Sequence, residues 1–444
     1  MTAVRPSQVS DGASAVAAVG AGQTSVADTA EQALARVARL DESIGAFRIV
    51  DEELVRTQAR QLDTSGAGAL RGLVVGVKDV IDTADLPTGY GSPLFSDHQP
   101  SRDADVVTTL KSAGALMLGK TESTEFAMFQ PTRTRNPLDL TRTPGGSSSG
   151  SAAAVAAGMV HAALGTQTAG SVLRPAAYCG VFGFKPAHGW TSTAGVFQLA
   201  EHLDTVGLFA RSVRDLELLH RTLRHSTSEK RPPPDTAGGA TGAVGDGRRL
   251  CVGVLRADEW ALCESDVYDA LDAVAGRLQH GGVTVVELAM PPTWASLPTA
   301  HRTVMAVEVA RNLRDRLGDR VRQISPSAQA IVAEGDACPL HVYEMAGVER
   351  EEAVAALPEL ASSLDLVVLP SALGPAPVGL DFTGDPVMCR PATLLGIPAA
   401  NVPAHWRSDG LPIGLQAMAP HFNDLLFLRH LALLEAVLYP KECP

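Results

Sequence analysis

Between Thr143 and Lys185 the chain reads TPGGSSSGSAAAVAAGMVHAALGTQTAGSVLRPAAYCGVFGFK. This stretch constrains the fold more than any other. A glycine–serine run, Gly145 to Ser151, opens an Ala-rich helix expected from Ser151 to about Ala163, whose small side chains permit close packing. A second glycine-bearing turn, Thr168-Ala169-Gly170-Ser171, follows about one helix and one short strand later. Each turn sets a serine hydroxyl beside residues small enough for backbone N–H groups to crowd a ligand. Acyl transfer needs that arrangement: a nucleophile, a proton handler and an anion hole at close range. Ser/Gly runs elsewhere are mostly flexible linkers. This one lies between a Pro-punctuated turn and a dense Ala helix, which is no place for a linker.

Around this centre, strands alternate with helices. Ala30, Ala33, Leu34, Val37 and Leu40 recur at helical spacing, and a second helix is expected over about 50–62. Leu73 to Val77 reads as a buried strand ending at Lys78-Asp79, a helix from Asp103 to Ala113 follows, and Ala115 to Leu118 reads as another buried strand. Farther on come an amphipathic helix from Ser212 to His225, strands at 251–255, 283–288, 364–369 and 412–417, and helices at 266–280, near 298–317 and at 423–438. This alternation predicts one compact α/β domain over residues 24–440. Its central sheet should be mixed but largely parallel, with helices on both faces. Residues 1–23 read as a flexible N-terminal segment, and the Pro-, Gly- and charge-rich stretch 226–249 as a surface loop insertion.

Charge and composition exclude several classes. The net charge is −12 and no Lys/Arg cluster occurs, which argues against nucleic-acid binding. The six cysteines are far apart, with no CxxC pair, as suits free thiols in a reducing compartment. The histidines form no HExxH or HxxxH pair, so no metal site is expected. A weakly apolar N-terminus and the lack of an 18-residue apolar span predict a cytoplasmic protein with no membrane segment.

Two formal motif matches fail on context. Gly114 to Thr121 fits GxxxxGK[ST], but its intervening Ala-Leu-Met-Leu wants burial in a strand, and Glu122 and Glu125 would repel phosphate. Gly146-Ser147-Ser148-Ser149-Gly150 fits GxSxG, yet the preceding Asn136 to Pro144 segment cannot form the central strand that a nucleophile elbow requires. Lys78 is open to two readings. A strand-end lysine commonly snorkels to solvent; if buried, its charged form is disfavoured and it becomes a proton acceptor near neutral pH. Asp79 would oppose that shift, although strand alternation points the two side chains to opposite faces.

Lys78, the GGSSSG run and the TAGS turn together resemble the amidase signature family. Further matching segments are Gly76-Val77-Lys78-Asp79, Gly119-Lys120-Thr121-Glu122, Glu125-Phe126-Ala127, Asn136-Pro137, Gly183-Phe184-Lys185-Pro186, Gly396-Ile397-Pro398-Ala399 and Gly410 to Gln416. The run from Gly165 to Cys179, with Leu203-Asp204-Thr205-Val206-Gly207, looks most like the malonamidase branch. The resemblance implies a lysine base, a relay serine after a cis peptide, and a nucleophilic serine 24 positions on, and here 171 − 147 = 24. Carried over, Lys78 is the base, Ser147 the relay and Ser171 the nucleophile. Thr168, Ala169 and Gly170, with Ser171, supply the oxyanion hole, and Thr166 supports the relay.

This sequence departs from the family pattern at three places. Ala169 replaces a common glycine, Gln167 a common aspartate, and Ser149 a common glycine. Arg174 matches an arginine that binds a substrate carboxylate in malonamidase-like members; the other reading is a brace against a nearby acid.

The expectation is therefore an amidase acting on a small or medium linear amide, without metal or organic cofactor. Two alternatives use the same acyl-enzyme: an ammonia-supplying component of a multi-protein amidotransferase, and an acyltransferase in which an amine outcompetes water. A homodimer is left open.

Overall fold

The computed structural model describes residues 10–224 and 249–440. Eleven strands form one mixed sheet: β1 Phe47–Ile49, β2 Val74–Lys78, β3 Leu116–Thr121, β4 Ala162–Gln167, β5 Phe182–Lys185, β6 Thr205–Ala210, β7 Cys251–Val254, β8 Thr284–Glu287, β9 Leu366–Pro370, β10 Ala399–Trp406 and β11 Pro412–Met418. Their order across the sheet is β1-β3-β2-β4-β6-β5-β10-β11-β9-β7-β8. Pairing is parallel at the two flanks, β3-β2-β4 and β9-β7-β8. The centre, β4-β6-β5-β10-β11-β9, is antiparallel throughout.

A largely parallel sheet is thus a correction: parallel pairing holds within β3-β2-β4 and β9-β7-β8, whereas the centre and the edge pair β1-β3 are antiparallel. The reason is local. The β5–β6 connection contains no helix among its residues, and five residues separate β10 from β11, too few for a crossover. The Ala-rich helix is also shorter than expected. It spans Ser149–Ala156, and Ala162 already belongs to β4.

Both faces of the sheet are covered. Val75 and Val77 lie in one apolar cluster and Val74 in another; Ala162 and Leu164 likewise separate from Ala163. Alternation along a strand sends neighbours to opposite faces, so each cluster marks one covered face. Helix Ser149–Ala156 is buried on every side, which is why it carries no polar stripe. Gly150 permits its approach: a Cβ there would lie 2.1 Å from the Ala46 carbonyl oxygen and 2.4 Å from the Glu122 nitrogen.

The N-terminal segment differs from expectation where it is described. Helix Gly12–Gly20 is capped by Asp11, and the Gly12 and Ala13 N–H groups donate to the Asp215 carboxylate at 2.9 and 2.7 Å. Almost all of the expected 226–249 insertion lies outside the described residues. The five described cysteines are free thiols. No helix among the described residues is long and apolar enough to cross a membrane.

Candidate active site

The parallel pairing of β2 and β4 creates the first half of the site. With Val77 opposite Leu164, the carboxyl-terminal ends of both strands lie together, bringing Lys78 beside Thr166. Lys78 shares the β2 face of Val74, the face that holds helix Ser149–Ala156. Ser147 precedes that helix, after a cis Gly146–Ser147 peptide bond. Lys78 Nζ consequently lies 2.7 Å from Ser147 Oγ and 2.8 Å from Thr166 Oγ1.

The other serines of the run are committed elsewhere. Ser148 Oγ donates to the Thr166 carbonyl at 3.3 Å, Ser149 Oγ to the Gly145 carbonyl at 2.7 Å, and Ser151 Oγ to the Leu164 carbonyl at 2.9 Å. Ser148 is the centre of the accidental GxSxG match, and its hydroxyl serves the backbone. Of the four, only Ser147 meets the amine.

Lys78 is fully buried, so snorkelling to solvent is not its role. Burial pushes its pKa well below the ordinary lysine value, opposed by the field of Asp204. Asp79 does not enter that balance. Its carboxylate meets Arg48 at 3.0 Å and Lys120 at 3.9 Å, and accepts from the Gly89 N–H. Asp204 is itself raised to about 6 by burial.

β4 runs directly into the second half, the turn Thr168–Ser171. Gln167 stitches this turn to the following helix, Leu173–Cys179: its side-chain oxygen accepts from the N–H groups of Val172 and Leu173 at 2.9 and 3.1 Å. The Thr168 hydroxyl donates to Asp204 Oδ1 at 2.5 Å. Thr168, Ala169, Ser171 and Arg174 line one cavity, whose wall is otherwise apolar, including Met128, Phe129, Leu199, Met305, Val309 and Ile331.

Arg174 links the two halves. Its Nη2 donates to the Gly146 carbonyl at 2.7 Å, tying the helix after Ser171 to the peptide that carries Ser147. The guanidinium is buried, Nε and Nη1 have no partner, and no carboxylate contacts it among the described residues. Burial lowers its pKa, opposed by the fields of Tyr178, Cys389 and Asp385. It braces a carbonyl instead of an acid, and two donor atoms are left unused.

Sequence reasoning missed the apolar wall, because residues from 128 to 331 carry no common signal of converging on one cavity. It also missed His301, whose Nε2 is 2.7 Å from the Thr168 carbonyl, and Thr393, whose hydroxyl donates to the Ala169 carbonyl at 2.8 Å. Among the described residues no group of three His, Cys, Asp or Glu side chains has metal-holding geometry.

Known proteins match over nearly the whole length. The sequence profile of the family described as Amidase covers residues 28–428. A glutamyl-tRNA(Gln) amidotransferase subunit from Roseiflexus castenholzii is 34% identical, with 92% of this chain and 91% of that protein aligned. Peptide amidase from Stenotrophomonas maltophilia superposes with a TM-score of 0.80 at 27% identity, covering 96% of each chain. A 6-aminohexanoate cyclic dimer hydrolase complexed with substrate gives a TM-score of 0.83 at 25% identity, covering 97% of each chain.

Proposed function

The chain belongs to the amidase family, and on that premise we propose that it hydrolyses a carboxylic amide C–N bond through an acyl-enzyme on Ser171. One observation carries the reading: a fully buried lysine amine lies against Ser147 Oγ and Thr166 Oγ1. An amine held uncharged by burial accepts a proton from Ser147, which takes one from Ser171 as that oxygen attacks the amide carbon. The N–H groups of the Thr168–Ser171 turn bind the oxyanion. The relay then returns a proton to the leaving amine, and water repeats the cycle on the ester. Thr166 fixes the amine, and no metal or organic cofactor takes part.

Arg174 supplies the substrate preference. Its two unused donor atoms belong to a buried guanidinium lining the cavity, and a carboxylate on the substrate satisfies them bidentately. With an apolar wall around it, the substrate is a small or medium amide with an apolar body and one acidic group. This charge preference is the one that the resemblance to malonamidase-like members implies; the relatives reported above are named as an amidotransferase subunit, a peptide amidase and a cyclic dimer hydrolase instead.

A second reading has the amidotransferase relatives behind it: an ammonia-supplying component acting with partner proteins. Its chemistry up to ammonia release is the same. Free glutamine, however, carries an α-ammonium as well as a carboxylate, and among the described residues no acidic side chain lines the cavity. Asp385, beside the lining residue Pro386, is half-exposed and accepts from the Val387 N–H.

The test is a panel of amides with and without a carboxylate, glutamine included, followed by ammonia or amine release from the chain alone. Cleavage of acid-bearing apolar amides that is lost in Ser171→Ala supports hydrolysis. Glutamine turnover that requires a copurifying protein would establish the second reading instead, and amide transfer to added amines in preference to water would establish an acyltransferase.

A further inference from the structure

The oxyanion turn is aimed from the distant half of the chain. In a trans peptide the C=O and the next residue's N–H point in opposite directions. The only cis bond among the described residues is Gly146–Ser147, so every peptide of the Thr168–Ser171 turn obeys this rule. Holding a carbonyl outward therefore directs the following N–H inward.

Three successive carbonyls of the turn are held. The Thr168 carbonyl accepts from His301 Nε2 at 2.7 Å. The Ala169 carbonyl accepts from Thr393 Oγ1 at 2.8 Å. The Gly170 carbonyl accepts from the Arg174 N–H at 3.0 Å, the start of the turn's own helix. The N–H groups opposite them belong to Ala169, Gly170 and Ser171. None of the three donates to any group among the described residues, while Ala169 and Ser171 line the cavity. The helix orients the last peptide by itself, whereas the first two depend on side chains 133 and 224 residues away.

From this geometry we propose that His301 and Thr393 are positioning residues, which aim the N–H groups of Ala169 and Gly170 at the substrate carbonyl oxygen. The inference rests on the amide-hydrolysis reading and adds to it two residues from the C-terminal half.

The chemistry of each residue suits the task. A carbonyl oxygen only accepts, so His301 is the Nε2–H tautomer. The imidazole is fully buried on helix Leu297–Leu317 and burial lowers its pKa to about 3, so the ring remains neutral and keeps its tautomer across the working range. Thr393 lies on helix Arg390–Leu395; its oxygen accepts from Gln167 Nε2 at 2.9 Å, which steers its single proton to Ala169. A second acceptor, the Cys389 carbonyl, is farther away at 3.1 Å. Gln167 thereby joins the helix side and the carbonyl side of the turn in one network.

The experiment compares His301→Leu and Thr393→Val, which remove the donors, with His301→Gln and Thr393→Ser, which keep one. Substrate is the best amide of the panel, and the probe is the corresponding aldehyde, which adds reversibly to the Ser171 hydroxyl as a hemiacetal and places its oxygen in the anion hole. Misaimed donors cost transition-state binding, so kcat should fall about ten- to hundredfold in the donor-free variants. KM should change less than about threefold, aldehyde affinity should fall with kcat/KM, and the donor-keeping variants should regain at least about fivefold in kcat.

Wild-type kcat in both donor-free variants, or losses confined to KM, would overturn the inference. If those two do not fold, His301→Asn and Thr393→Ala, whose shorter side chains no longer reach the two carbonyls, decide: kcat lowered at least about threefold at unchanged KM supports the inference, and unaltered kcat in both overturns it. A wild-type chain that cleaves no amide at all sinks the underlying reading, an outcome distinct from either.

Discussion

Lys78→Met separates a functional lysine from a structural one, because the two roles predict opposite stability changes. The substitution keeps most of the volume and removes the amine. Two hydrogen-bond contacts disappear, to Ser147 and Thr166, at a net cost of about 0.5–1.5 kcal/mol each. Against this, burial disfavours the charged amine that the unfolded chain would carry, a cost of about 1.4 kcal/mol for each pH unit by which the folded pKa is lowered within the range above the working pH, and the substitution removes it. Stability at pH 7 should therefore hold or rise.

The pH dependence sharpens the test. The folded pKa of Lys78 lies below its unfolded value. Between the two values the unfolded chain binds more protons, so wild-type stability falls as pH decreases through that window, by about 1.4 kcal/mol per pH unit. Lys78→Met lacks this contribution, and its stability advantage should widen as pH is lowered through that window. Urea unfolding at pH 10, 9, 8 and 7 measures the gap, and amide release measures activity, expected to fall by about a thousandfold on losing a general base. A variant destabilised by more than about 2 kcal/mol at every pH, or one within tenfold of wild-type turnover, refutes the reasoning.

Arg174→Gln keeps a donor for the Gly146 carbonyl and loses the charge; KM should rise at least about tenfold for acid-bearing amides and less than about threefold for neutral ones, since a charge-assisted bidentate contact is at stake. Equal losses for both substrate classes would mean that Arg174 only braces the loop. Gly150→Ala should destabilise by about 1–3 kcal/mol or prevent folding, because the new Cβ meets backbone on two sides, and thermal melting checks it. His161 and His301 should stay neutral in the folded chain down to about pH 4 by NMR titration, since burial lowers both to about 3. Unfolded histidine takes a proton near 6.5, so each should also contribute a loss of stability as pH falls below that value.

Much of the site is legible in the residues alone. The two glycine–serine turns mark Ser147 and Ser171, while Lys78 stays open between two readings until the resemblance is added and Thr166 enters through the resemblance alone; β2, β3 and the helix Asp105–Ser112 are marked by hydrophobic runs of the right length. The central strands β5, β6 and β10 are harder. They are 4 to 8 residues long, and the segment joining β5 to β6 is irregular, so neither helical period nor strand alternation identifies them. The antiparallel centre of the sheet escapes sequence reasoning for the same reason.

By itself the sequence determined which residue types were available for proton transfer and how close along the chain the two glycine turns had to be. Tertiary structure alone decided that Lys78 is buried, because exclusion of water depends on β3, β4 and the helix Ser149–Ala156 packed around β2. It likewise decided that no carboxylate among the described residues contacts Arg174, and that His301 and Thr393 reach the Thr168–Ala169 peptides. Local patterns record backbone preference over a few residues. Solvation and hydrogen-bond direction depend on what the rest of the chain brings alongside, and that is set only when the sheet and its helices close.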